Sequence, residues 1–265
     1  MIEPRRVGRY LDIDEFGYVK PDVAIERVGT IWKPLVAFVA DALMDRRGVR
    51  SVYLRGSIPR GLAMEDVSDA DFIYLSDANF DSADAALEQM VEAKFPFVTG
   101  LELSRLDRTT LDKVRRPQRR PYFHMLLKTQ CLFLAGEDIA RDIPPFRLGA
   151  DMVSHVFSLQ GEFAHLPKLL AEGRDSGEEE AMRQGFSRRI VRSGFEVTMD
   201  RNDRFTRDLY LCYEQFTRFY PDWAEKMLGV LKNCLNGGES PLQYRELVAL
   251  LAREAARLSL PTAAG

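Results

Sequence analysis

The spacing of hydrophobic residues predicts a mixture of strands and helices in the first half of the chain. Short runs of β-branched and aromatic side chains occur at 51–56 (SVYLRG), 69–75 (DADFIYL) and 97–106 (FVTGLELSRL), and each predicts a strand. Apolar residues that recur every three or four positions predict helices over 21–47, 81–94 and 123–134.

The pattern changes after IPPF (143–146), because no convincing strand follows. The remaining segments have helical spacing and are separated by glycine and proline breaks, near 148–171, 180–200, 203–219, 221–235 and 241–257. We therefore expect an α+β protein. A small mixed β-sheet domain with flanking helices would occupy residues 1–145, and an all-α helical bundle domain residues 146–265.

Composition places the chain among ordinary soluble globular proteins, with 46% hydrophobic and 29% charged residues. Lys and Arg total 37 against 40 Asp and Glu, which gives a net charge of −3 and argues against a protein that coats nucleic acid. The run RRPQRRP (115–121) is predicted to be a loop. Such a run is usually solvated; the alternative is that it attracts an anionic or nucleic-acid substrate.

Cysteine usage and the chain's start indicate a reducing compartment. Cys131, Cys212 and Cys234 show no CxxC spacing and lie in apolar surroundings, as buried thiols do. The N-terminal residues have acids and no apolar signal-peptide core, and no uncharged apolar run is long enough to span a bilayer. We expect a cytoplasmic protein with no membrane partner; the sequence assigns no oligomeric state.

Two carboxylates on one strand are the first candidate chemistry. Because strand residues alternate faces, Asp69 and Asp71 point the same way, roughly 6–7 Å apart. They repel each other, so a cation is expected between them. Hard divalent cations such as Mg²⁺ prefer carboxylate and phosphate oxygens, which makes the pair a candidate metal site.

A glycine-bracketed turn, residues 56–61 (GSIPRG), directly precedes this pair. Gly56 and Gly61 let the backbone approach a phosphate closely, because neither has a Cβ. Ser57 adds a hydroxyl and Arg60 a cation, although a turn arginine is also commonly just solvated. Carboxylates and turn together describe a site for a metal-bound nucleoside triphosphate.

GSIPRG followed by SDAD (68–71), with apolar runs on both sides, resembles the signature of the polymerase β-like nucleotidyltransferase superfamily. The pattern is similar to those of the streptomycin-type aminoglycoside adenylyltransferases and the minimal nucleotidyltransferases. The resemblance implies Mg²⁺ as cofactor, in one or two ions held by Asp69 and Asp71, and ATP or another nucleoside triphosphate as substrate.

A third acid, Glu102, lies in the predicted strand at 97–106. There Leu101 and Leu103 are expected to face the core and Glu102 the opposite side. The Leu-Glu-Leu sequence is similar to a Leu-Glu-Val strand that carries the catalytic base in streptomycin-type adenylyltransferases. Glu102 is therefore a candidate general base; a third metal ligand and a solvated edge-strand glutamate are the alternatives.

Arginines of the second half offer a further candidate contact. By resemblance of architecture, Arg192 and Arg207 are expected to bind the triphosphate. The alternative is a layer of ion pairs between helices, with Glu196, Asp200 and Asp208 as partners.

The function expected from these residues is Mg²⁺-dependent transfer of a nucleoside monophosphate, AMP from ATP by resemblance, onto a hydroxyl of a small molecule, with aminoglycosides as one acceptor class. Near-neutral charge and the lack of a basic stripe favour a small molecule over RNA. Two alternatives are a toxin-like enzyme that modifies RNA or a protein side chain and a non-catalytic nucleotide-binding module. The presence of all three acids argues against the latter.

Overall fold

The computed structural model of the 265-residue chain describes residues 3–113, 121–149, 152–172 and 176–258. It divides into two compact units. The sheet unit is Tyr18–Phe146, and the helical unit combines the described residues of Met1–Gly17 and of Arg147–Gly265. All four strands belong to the sheet unit, and the long helices of the second half belong to the helical unit. The predicted α+β class is therefore confirmed.

The sheet unit contains a four-stranded sheet of order β3-β2-β1-β4. Its strands are β1 (Ser51–Arg55), β2 (Ala70–Leu75), β3 (Leu101–Leu106) and β4 (Leu132–Gly136). β1 pairs antiparallel with both β2 and β4, whereas β2 and β3 run parallel, so the sheet is mixed as predicted.

Helices cover this sheet through an apolar core. Leu35, Val39 and Leu43 recur every four residues on one face of helix α1 and are fully buried against side chains such as Leu54 and Phe72 of the sheet. The helices of the sheet unit are α1 (Lys33–Met44), α2 (Asp81–Lys94), α3 (Arg108–Leu111), α4 (Tyr122–Gln130) and α5 (Ile139–Asp142).

Two predicted helices are wrong in part. The helix predicted over 21–47 begins only at Lys33, next to a proline in its first turn, and Ile25–Arg27 forms a 3-10 turn instead. The helix predicted over 123–134 ends at Gln130, and the apolar residues that follow form β4. Periodicity alone does not separate a short buried strand from the continuation of a helix.

The helical unit follows the predicted pattern of helices, with shifted bounds: α6 begins later than predicted, and α7 begins and ends four residues earlier. It contains α6 (Val156–Leu170), α7 (Ser176–Glu196), α8 (Leu209–Phe219), α9 (Ala224–Asn236) and α10 (Arg245–Arg257). Within the described residues, no helix has both the length and the apolar character needed to cross a membrane.

The N-terminal segment up to Gly17 groups with the helical unit, whereas the boundaries expected from sequence placed it in the sheet domain. The backbone N–H of Leu11 donates to the carbonyl of Phe205 at 2.8 Å, and the Thr206 hydroxyl donates to the carbonyl of Arg9 at 2.8 Å. These bonds attach the segment to the helical unit. They join residues almost 200 positions apart, and hydrophobic periodicity carries no information about such pairs.

Candidate active site

Three charged side chains form a row across three neighbouring strands. Antiparallel pairing places Arg55 of β1 opposite Asp71 of β2, and parallel pairing places Asp71 opposite Glu102 of β3. Residues opposite one another on adjacent strands point to the same face. The register of the sheet therefore brings Arg55, Asp71 and Glu102 together.

The carboxylate triad consists of Asp69, Asp71 and Glu102, whose nearest oxygens all lie within 4.8 Å of one another. Asp69 directly precedes β2, and like Glu102 it is exposed, whereas the side chain of Asp71 is only 13% exposed. Leu101 and Leu103 pack against the core on the other face of β3, as the alternation predicts. Three carboxylate oxygens at this separation fit a hard divalent cation.

Arg55 was missed by sequence reasoning, and it supplies the positive charge expected beside the carboxylates. Its Nη2 donates to Asp71 Oδ1 at 2.9 Å and to Glu102 Oε1 at 2.5 Å. The Arg55 side chain is 24% exposed. Its position before Gly56 on a predicted strand was a visible signal, but only the register shows which acids it meets.

Burial dominates the electrostatics of Asp71. It raises the pKa of this carboxyl from 3.8 to about 7, against the opposing effect of Arg55. The charges of Asp69 and Glu102, and a hydrogen bond with the Glu102 side chain, contribute to the same rise in pKa. A carboxylate in such surroundings is stabilised by additional positive charge, which a cation would supply.

The glycine turn (residues 56–61) adjoins the triad. Gly56 has φ +80°, and a Cβ built on it would lie 2.2 Å from Asp71 Oδ2. Ser57 has a buried hydroxyl oxygen with no hydrogen-bond partner among the described residues. A buried hydroxyl without a partner costs free energy, so this atom fits contact with an external polar group such as a phosphate.

The other predicted turn residues have contacts within the sheet unit. Gly61 has φ +71°, and its N–H donates to the carbonyl of Ile58 at 3.1 Å. Arg60 Nε donates to Asp22 Oδ2 at 2.7 Å, and Asp22 is buried and also paired with Arg27. The structure thus joins Arg60 to Asp22; its predicted phosphate contact stays a prediction.

Arg192 and Arg207 lie in the helical unit, beside a buried acid. Arg192 Nε donates to the carbonyl of Arg207 at 3.4 Å, and Arg207 Nη1 lies 3.2 Å from His155 Nε2. Glu196 accepts a hydrogen bond from the Val156 N–H at 2.8 Å. Burial raises the pKa of Glu196, and the Arg207 charge opposes this. A triphosphate contact for the two arginines stays a prediction.

The basic run at 115–121 lies outside the described residues except for its last position, Pro121. All three cysteines are buried and free of disulfides, as the sequence indicates. The Ser68 hydroxyl, just before β2, accepts a hydrogen bond from the Met64 N–H at 3.0 Å.

Comparisons with known proteins give few matches. No family model matches the chain, and no curated protein does. Among solved structures, the chain is similar to a spectinomycin adenyltransferase from Enterococcus faecialis, crystallised with ATP and spectinomycin. The identity is 11% and the TM-score 0.46, over 85% of this chain and 98% of that one.

Proposed function

We propose that the protein is a Mg²⁺-dependent nucleotidyltransferase that moves AMP from ATP, or the monophosphate of another nucleoside triphosphate, onto a hydroxyl of a small-molecule acceptor. One observation carries the proposal. The three carboxylates Asp69, Asp71 and Glu102 converge beside a glycine turn with a buried hydroxyl, that of Ser57, that has no partner among the described residues.

The metal would be held by Asp69 and Asp71, the two acids on either side of the first residue of β2. Mg²⁺ bound there would neutralise charge on the triphosphate and on the departing pyrophosphate. The fit is supported by the donor set, because carboxylate oxygens are the ligands this ion prefers.

The glycine turn would bind the triphosphate. Because Gly56 has no Cβ, the carboxylate of Asp71 lies directly against the turn. The Ser57 hydroxyl would gain a partner when a phosphate oxygen approaches. Orientation of the leaving group by such fixed donors is a main source of rate in phosphoryl-type transfer.

Glu102 would act as the general base. It accepts the proton of the acceptor hydroxyl while the acceptor oxygen forms a bond to the α-phosphorus and the bond from that phosphorus to the β-phosphate bridging oxygen breaks. Pyrophosphate leaves with the electron pair of the broken bond. The exposure of Glu102, 55% of its side chain, leaves it accessible to an incoming acceptor.

The test is incubation of the full chain with Mg²⁺ and each α-labelled nucleoside triphosphate against a panel of hydroxylated acceptors, with aminoglycosides first. We expect label on a small molecule and release of pyrophosphate, and no transfer by D71N. Label on RNA or on a protein would assign the toxin-like alternative. Tight nucleotide binding without transfer to any acceptor would leave a nucleotide-binding module and refute the proposed activity.

A further inference from the structure

The guanidinium of Arg55 lies among the acids that the proposed function assigns to the metal and to the base. Its Nη2 contacts Asp71 Oδ1 and Glu102 Oε1, and both of these bonds lead to the carboxylate triad. One nitrogen thus bridges two of the three acids. The bridge joins β1 to β3 across the intervening strand.

We infer that Arg55 is a positioning residue, the internal counter-cation of the triad. It holds Asp71 and Glu102 together when no metal is bound, and it opposes the binding of a divalent cation at the same acids. The inference rests on the proposed function, since it takes Asp69 and Asp71 as the metal ligands and Glu102 as the base beside them.

Charge is the first argument. When all three acids of the triad are ionised, they carry three negative charges, and the Arg55 guanidinium reduces the net negative charge to two. Like charges at this separation repel strongly in a partly buried site, so the triad alone would disfavour the folded protein. Arg55 relieves this repulsion before metal binds. For the same reason it repels an arriving divalent cation.

The side chain's surroundings are the second argument. Arg55 Nε is buried and has no hydrogen-bond partner among the described residues, so the guanidinium is held by the two ion pairs of Nη2. A guanidinium fixed for structural reasons alone usually has its donors satisfied. An arginine whose main contacts are these two acids can release one carboxylate oxygen, which then becomes available to bind a metal.

A neighbouring arginine provides a matched control. Arg105 lies on β3 of the same sheet, where its Nη1 donates to the carbonyl of Ser76 at 3.2 Å and its ion-pair partner is Asp107, at 3.9 Å. It shares the sheet and the charge with Arg55 without contacting the triad. Its replacement therefore tests the general effect of removing a positive charge nearby.

The experiment measures Mn²⁺ binding without nucleotide, by the electron paramagnetic resonance of the free ion, in R55Q, R55K and R105Q. Removing the charge in R55Q should lower the Kd for Mn²⁺ by about tenfold or more. R55K keeps the charge and should stay near wild type, as should R105Q. The metal-free Tm of R55Q should fall by about 2–6 °C, and saturating Mn²⁺ should restore it.

A second measurement uses the wild-type chain, in case R55Q does not fold. The Nε–H resonance of Arg55, assigned by its absence in R55K, should shift when Mg²⁺ saturates the triad. An unmoved resonance, or unchanged or weaker Mn²⁺ binding by R55Q, would overturn the inference. Nucleotidyl transfer by the wild type would in that case leave the proposed function standing.

Failure of the proposed metal site has a different signature. If neither wild type nor R55Q binds Mn²⁺, both the counter-cation role and the metal assignment are wrong. If only R55Q binds it, Arg55 occupies the site of the cation, and the inference holds in its strongest form. D71N, which lacks a triad acid, should not bind Mn²⁺ in any of these cases.

Discussion

Gly56 and Asp71 are in direct contact: a Cβ added to Gly56 would stand 2.2 Å from Asp71 Oδ2, well inside any tolerated separation. Gly56 also has φ +80°, a conformation that residues with a Cβ rarely adopt. The glycine turn and the metal-site carboxylate are thus mechanically coupled. A side chain added at residue 56 would displace the carboxylate of Asp71.

The first prediction compares G56A with G17A. Gly17 has nearly the same φ, +82°, but its Cβ would meet nothing within 4 Å. We expect G17A to cost about 1 kcal/mol of unfolding free energy, from backbone strain alone. G56A should cost about 2–4 kcal/mol and weaken Mn²⁺ binding, because Asp71 must also move. Urea denaturation and Mn²⁺ titration would check this; equal losses in the two variants would contradict it.

The second prediction concerns pH and Asp71. Burial, followed by the nearby acids, raises its pKa from 3.8 to about 7, so between these values the folded protein keeps a proton that the unfolded chain has released. Asp71 therefore makes the metal-free protein less stable as the pH rises from about 4 to about 7. D71N lacks this effect. We therefore expect its urea midpoint, relative to that of wild type, to rise from pH 5 to pH 8.

E92Q is the control for that comparison, because Glu92 is exposed on α2 and is not part of the triad. Its urea midpoint should follow wild type at both pH values. Transfer activity should be absent from D69N and D71N, which each lack one carboxylate of the proposed metal site. Wild-type turnover with Mg²⁺ in either variant would remove these acids from the mechanism.

The third prediction separates the two chemical roles open to Glu102. If it is the base, E102Q should bind Mg²⁺–ATP almost as wild type does and turn over roughly 10²–10⁴-fold more slowly. If it is a metal ligand, E102Q should also bind the complex more weakly, since an amide is a poorer ligand for a hard cation. Calorimetry beside a turnover assay decides, and wild-type values in both would leave Glu102 a solvated glutamate.

Much of the candidate site was predictable because it is local in sequence. The glycine turn and the Asp69–Asp71 pair lie within 16 consecutive residues, and strand alternation suffices to put the two acids on one face. Alternation also placed Glu102 opposite Leu101 and Leu103. Local pattern is enough where neighbours along the chain are also neighbours in space.

Register and long-range pairing were out of reach. The contact of Arg55 with Glu102 depends on two successive strand pairings, one antiparallel and one parallel, which no single segment encodes. Likewise β4 is a short apolar run after a helix, and its pairing with β1 joins residues some 80 positions apart, Leu54 with Leu132 at one end. Hydrophobic periodicity describes which face of a segment is buried, and it does not identify the partner.

The last prediction tests the buried acid of the helical unit. Glu196, at the end of α7, is 4% exposed and accepts a hydrogen bond from the N–H of Val156, the first residue of α6. E196A leaves that buried donor without its acceptor and should cost about 2–4 kcal/mol, whereas E196Q keeps an oxygen there and should stay within about 1 kcal/mol. E179Q, at a more exposed pair on the same helix, should change little.

The pH dependence of E196Q gives the sharper test. Burial raises the pKa of Glu196 above its ordinary 4.5, so the folded protein binds the proton more tightly than the unfolded chain does. The contribution of Glu196 to stability is therefore greatest at low pH and declines as the pH rises above 4.5. Because glutamine does not titrate, the urea midpoint of E196Q should rise relative to that of wild type from pH 5 to pH 8. If the urea midpoint of E196Q instead fell relative to that of wild type over this range, the folded protein would stabilise Glu196 as a carboxylate.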